Sequence, residues 1–128
     1  MLNKLVIGLG SNWEGELKIK AADEQLCFYF DTIRFSEPVY TEPIGIQSPN
    51  WFLNQVAIAY TRFSLEEVKA TFKKIEKILG RTQEDKERGI IAIDIDLLQW
   101  NHQVLKPDDL QRKYIQKGIE AILSLYVK

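Results

Sequence analysis

From Ile91 to Leu97 the chain reads Ile-Ala-Ile-Asp-Ile-Asp-Leu, a two-residue alternation that a strand sorts onto two faces. Ile91, Ile93, Ile95 and Leu97 then enter a core, while Asp94 and Asp96 share the opposite face. Two carboxylates spaced this way lie about 6.5–7 Å apart at their Cα atoms, from a rise of about 3.3 Å per residue. They repel each other unless a cation lies between them. Hard divalent ions, Mg²⁺ above all, bind through one or two carboxylates plus substrate phosphates. A half-exposed antiparallel strand with merely solvated acids has the same pattern, so both readings of the acidic face stay open here.

The flanking sequence supplies partners for that strand. Leu5-Val6-Ile7-Gly8-Leu9-Gly10 is a second β-rich run, stopped by the turn signal Gly10-Ser11-Asn12. From Gly15 to Phe30, Leu17, Ala21, Ala22, Leu26 and Phe30 recur at helical spacing, with Cys27 as a small buried hydrophobe. Residues Thr32 to Tyr40 are extended, with Pro38 ending or edging the strand. Glu42 to Asn50 is a loop, and Phe52 to Tyr60 another strand. Ser64-Leu65-Glu66-Glu67 is a capping box, since the hydroxyl and the Glu67 carboxylate satisfy each other's backbone donors. The helix it opens runs through Val68, Phe72, Ile75 and Leu79, and Gly80 closes it. Arg81 to Arg88 is polar and charged and reads as a loop. A hairpin turn at Trp100-Asn101-His102-Gln103 precedes a final helix from about Pro107 to Leu125. Short connections allow antiparallel pairing, so the expectation is a single α+β domain over residues 1–128, with helices packed on one sheet.

Several kinds of chemistry are disfavoured. The net charge of −1 recruits neither nucleic acid nor an anionic membrane. No apolar run approaches a membrane span, and the first strand lacks the features of a signal peptide, which makes the cytoplasm the expected compartment. Cys27, the one cysteine, cannot form an internal disulfide. No Walker A loop is present, and Gly8-Leu9-Gly10 lacks the third glycine of a dinucleotide fingerprint. The one histidine, His102, sits in a turn, which argues against a zinc site or a histidine-based triad. Trp51 and Phe52 beside Asn54 could sandwich a flat heterocycle, or could provide packing area at a strand start.

Taken in order, Leu9-Gly10-Ser11-Asn12, Tyr40 with Pro43 and Gly45, Phe52-Leu53-Asn54-Gln55-Val56, Ile75-Glu76, Gly80-Arg81 and Asp94-Ile95-Asp96-Leu97 resemble the 6-hydroxymethyl-7,8-dihydropterin pyrophosphokinase family. The resemblance covers roughly residues 3–120 with collinear spacing. It implies a ferredoxin-like antiparallel sheet and transfer of pyrophosphate from ATP to the pterin's hydroxymethyl oxygen in folate biosynthesis. ATP is then the co-substrate, and two Mg²⁺ ions are held by Asp94 and Asp96. The same resemblance puts Pro43, Gly45, Phe52 and Asn54 at the pterin, Glu76, Arg88 and Lys117 on the nucleotide side, and Arg81 at the phosphates. Residues 81–88 become a catalytic lid. The chain departs from the family pattern at Ile91 for a second lid arginine, Gln111 for a histidine, Lys117 for an arginine and Ile119 for an aromatic. Those departures predict reduced turnover. The alternative is a non-catalytic pterin- or nucleotide-binding module of the same fold.

Overall fold

The computed structural model describes residues 2–43 and 50–125. Six strands, β1 (Asn3–Ser11), β2 (Thr32–Phe35), β3 (Val39–Thr41), β4 (Phe52–Thr61), β5 (Asp94–Trp100) and β6 (Gln103–Val104), form one sheet. Its order is β2-β4-β1-β5-β6, with β3 on the other end of β4, and every pairing is antiparallel. Helix α1 (Gly15–Tyr29) carries the chain from β1 past one strand position to β2. Helix α2 (Leu65–Ile78) does the same between β4 and β5. Two such split crossovers make the ferredoxin-like α+β topology. β1 is central and β5 pairs with it, so Asp94 and Asp96 stand opposite Gly10 and Gly8 of the central strand.

Both faces of the sheet are covered. On one, Leu5, Ile7 and Leu9 pack with Ile93, Ile95 and Leu97 against α1 and α2, whose Leu26, Phe72 and Ile75 are buried there. On the other, Val6, Val56, Ile58 and Leu98 meet Ile115 and Ile122 of α5 (Lys113–Ser124). Successive residues Leu97 and Leu98 are therefore both buried, one on each side. The Ser64 capping box is present with both hydrogen bonds, at 3.1 and 2.9 Å. Among the described residues no helix is long and apolar enough to cross a membrane.

Several local expectations change. Leu17 is exposed, and Ile19 takes the inward position with Ala22 and Leu26, because three- and four-residue steps from Leu26 and Ala22 reach 19 rather than 17. Cys27 is also exposed, lying one residue past that inward stripe. The Thr32–Tyr40 strand is two strands: at the break, Ser36 N donates to Val56 O (2.9 Å) and Val56 N donates to Ser36 Oγ (3.0 Å). β5 begins at Asp94 rather than Ile91, although Ile91 and Ile93 remain buried. Residues 81–88 are not all loop, since Gln83–Glu87 forms the short helix α3, capped by Thr82 Oγ1 accepting from Asp85 N (3.0 Å). The final helix is broken into α4 (Pro107–Leu110) and α5, because Arg112 adopts an extended conformation between them.

Gly118 permits the close approach of α5 to the sheet. A Cβ there would collide with Val56 Cγ1 and lie 3.0 Å from Ser36 Cβ. Gly118→Ala is expected to lower unfolding free energy by about 1–3 kcal/mol through overpacking, read as a lower urea midpoint at unchanged slope.

Candidate active site

Helix α2 ends in a Schellman motif. Gly80 N donates to Lys77 O (3.2 Å), Arg81 N donates to Glu76 O (3.0 Å), and Gly80 takes the left-handed turn at φ 97°. That turn folds Arg81 back over the helix it has just left. Arg81 Nη1 then donates to Glu76 Oε2 (3.0 Å), Asp94 Oδ1 (2.6 Å) and Ile93 O (3.4 Å). Glu76, only 5% exposed, also accepts from Ile95 N (2.8 Å). One buried carboxylate thereby fixes the start of the 81–88 segment and the start of the Asp strand. All guanidinium hydrogen bonds to described residues run through Nη1, so Nη2 and Nε stay available to the cleft Arg81 lines.

Asp96 has its own cation. Lys106 Nζ lies 3.2 Å from Asp96 Oδ1, brought there by the β5–β6 hairpin. Burial, and then the charge of Asp94, push the Asp96 carboxyl up to about 6, against the pull of Lys106. The pair is therefore not a solvated face. Its mutual repulsion is offset by one protein cation per carboxylate.

Asn54, on β4 opposite Gly10 of β1, donates through Nδ2 to Thr41 Oγ1 and to Phe52 O (3.4 Å). A Cβ at residue 10 would sit 3.1 Å from Asn54 Oδ1, so the glycine leaves room for the amide. Two clefts flank this end of the sheet. The narrow one, about 230 Å³, is lined by Phe52, Asn54, Thr41, Arg112 and Tyr114. The wide one, about 720 Å³, carries Lys69, Lys73, Arg81, Lys86 and Lys106. Asp94, Asp96 and Phe52 line both.

The remaining expected site residues are spread more widely. Pro43 is half-buried at the end of the described segment, and Gly45 lies outside the described residues. Arg88 is exposed and pairs with Glu84 (2.9 Å) without lining either cleft. Lys117 lies in a separate groove with Lys113 and Tyr40, and Gln111 is exposed. Ile119 packs against the α5-side core. Tyr114 joins Phe52 in the narrow cleft, and Arg112, paired with Asp109 at 3.0 Å, also lines it. Ile91 is 6% exposed, with its N–H donating to Asn12 Oδ1 (2.7 Å), while Asn12 Nδ2 donates to Gly89 O (2.6 Å). Asn12 thus ties the end of β1 to the residues that follow the 81–88 segment. Lys106, Arg112 and Tyr114 were not singled out from sequence. Tyr114 alone had a signal: Ile115, Ile119 and Ile122 set the inward stripe of α5, and Tyr114 adjoins its first residue.

A carboxylate pair shared by a lysine-rich cleft and an aromatic–amide cleft is the arrangement of a group-transferring enzyme with two substrates. The family model for 7,8-dihydro-6-hydroxymethylpterin-pyrophosphokinase (HPPK) matches residues 6–124. A 2-amino-4-hydroxy-6-hydroxymethyldihydropteridine pyrophosphokinase of Helicobacter pylori is 34% identical over 116 residues, covering 84% of this chain and 69% of that protein. The chain belongs to the 6-hydroxymethyl-7,8-dihydropterin pyrophosphokinase family.

Proposed function

We propose that the narrow cleft takes 6-hydroxymethyl-7,8-dihydropterin, the wide cleft takes ATP, and the protein transfers pyrophosphate between them in folate biosynthesis. The observation that carries this reading is the meeting of the two clefts at Asp94 and Asp96. Phe52 and Tyr114 offer ring faces to a flat heterocycle, and the Asn54 amide offers hydrogen bonds to its edge. Lys69, Lys73 and Arg81 give the wide cleft the positive potential a triphosphate needs.

The donor set suits magnesium. Among the described residues no group of three or more His, Cys, Asp or Glu could hold a metal, so an ion held by Asp94 and Asp96 would need further ligands from phosphate and water. When bound there, magnesium neutralises phosphate charge. The chain's own part is positioning. Glu76 aims Arg81, Asn12 holds Gly89 and Ile91, and the two clefts bring the pterin hydroxyl and the phosphates together.

A binding module that no longer turns over is the second reading, favoured by one observation: Ile91 is packed and apolar where a second lid arginine is expected. AMP release from Mg·ATP and hydroxymethyl-dihydropterin separates the two. Absence of AMP, with both ligands binding calorimetrically, would leave only the module. Within the enzyme reading, Arg81→Ala is expected to lower kcat by about 10²–10³ while weakening pterin binding far less. Equal losses in both would contradict a transition-state role for Arg81.

A further inference from the structure

Lys106 has no place in the site residues read from the sequence, yet its position is tightly built. Leu105 N and Lys106 N both donate to Leu98 O, at 2.9 and 3.2 Å, so the backbone at Lys106 is pinned two residues beyond Asp96 on the same strand. From there the side chain reaches Asp96 Oδ1 at 3.2 Å and lines the wide cleft with both aspartates and Arg81. An ammonium carries three donors, so contact with Asp96 leaves two for another oxygen-rich group. Ile91 contributes no charge, and Arg88 is paired with Glu84. At the junction Arg81 and Lys106 thus face three carboxylates, Glu76, Asp94 and Asp96, with Arg81 shared between two of them.

Resting on the pyrophosphokinase reading, we propose that Lys106 is a second catalytic cation, supplying from the β5–β6 hairpin the phosphate contact that a lid arginine at position 91 would have made. In the transfer, the hydroxymethyl oxygen bonds to the β-phosphorus of ATP and the bond from that phosphorus to the oxygen bridging to the α-phosphate breaks. AMP leaves with the bridging oxygen, and the hydroxyl proton passes to water. Lys106 makes no covalent bond. Its two remaining donors meet the phosphate oxygens on which charge accumulates, next to the carboxylate that holds it.

The test uses the full chain with Lys106→Met, which keeps the stem and removes the charge, and Lys106→Arg, which restores it. Expected is a fall in kcat of about 10²-fold for Lys106→Met, with KM for the pterin within about twofold, and recovery of most of the rate by Lys106→Arg. A kcat for Lys106→Met within threefold of the parent, or no better rate for Lys106→Arg than for Lys106→Met, would overturn the assignment. A second readout needs no turnover. Loss of an ammonium that competes at Asp96 should tighten binding of Mg²⁺ alone by about two- to fivefold, the size of a partly exposed ion pair. Unchanged or weaker Mg²⁺ binding would overturn the Lys106–Asp96 pairing. Tighter Mg²⁺ binding with no AMP from the parent protein would sustain the pairing while removing both the catalytic role and the pyrophosphokinase reading.

Discussion

Asp96→Asn is expected to cut AMP release by ~10³-fold or more while raising the thermal midpoint of the ligand-free protein at pH 7. The rate loss follows from removing half of the carboxylate pair at the junction of the clefts, in a reaction that depends on positioning and charge. The stability gain has the opposite origin. Burial and Asp94 lift the folded-state Asp96 carboxyl from 3.8 to about 6, so the folded protein binds this proton more tightly than the unfolded chain does. Folding strength at this position is therefore fully present below about pH 4 and is lost as pH rises through 6. Asparagine escapes that loss. Its advantage in midpoint should be largest above pH 6 and vanish near pH 4, as measured by circular dichroism melts across pH. A variant less stable than the parent at pH 7 would show that Asp96 is held mainly by Lys106, and that the strain inferred from its environment is absent.

The second large effect is structural. Glu76→Ala removes the acceptor shared by Arg81 and Ile95 N, leaving a buried amide without its partner and a guanidinium whose ionic partner, among the described residues, is Asp94. Breaking one side of such a pair is expected to cost about 3–5 kcal/mol, visible as a lower midpoint in denaturant. Glu76→Gln keeps a carbonyl acceptor for Ile95 N and should lose clearly less. Equal losses for the two variants would mean that the charge on Glu76, rather than its acceptor role toward the strand, carries the effect. Turnover should fall in both, since Arg81 loses the group that aims it.

Much of this architecture was legible because its cause is local. The Ser64 capping box, the Gly80 stop and the alternation at Asp94–Leu97 each follow from chemistry within a few residues, and each forms as read. The meeting of Glu76, Arg81 and Asp94 was only implied by motif order, because α2 and β5 are joined by sheet topology rather than by spacing. Leu17 and Cys27 were misplaced because a helix with few strongly apolar residues offers more than one inward stripe. The break at Arg112 is marked by no proline or glycine, and it places Arg112 and Tyr114 along the narrow cleft. Lys106 was invisible for a different reason. Its partner Asp96 is reached only after a hairpin that folds the chain back on itself.

The interruption at Ser36–Pro38 has a consequence away from catalysis. A sheet ends in rows of unpaired backbone groups that can template another chain, and long flat rows are the dangerous ones. Here one border is divided into runs of 4 and 3 residues, with Ser36 bonded back to Val56 and Pro38 lacking a donor. The opposite border is the 2-residue β6 together with the Asp94–Leu98 part of β5 that β6 does not pair, where Asp94 and Asp96 place charge. The break on one border and the charges on the other each leave less continuous ladder for strand addition than an unbroken apolar edge would.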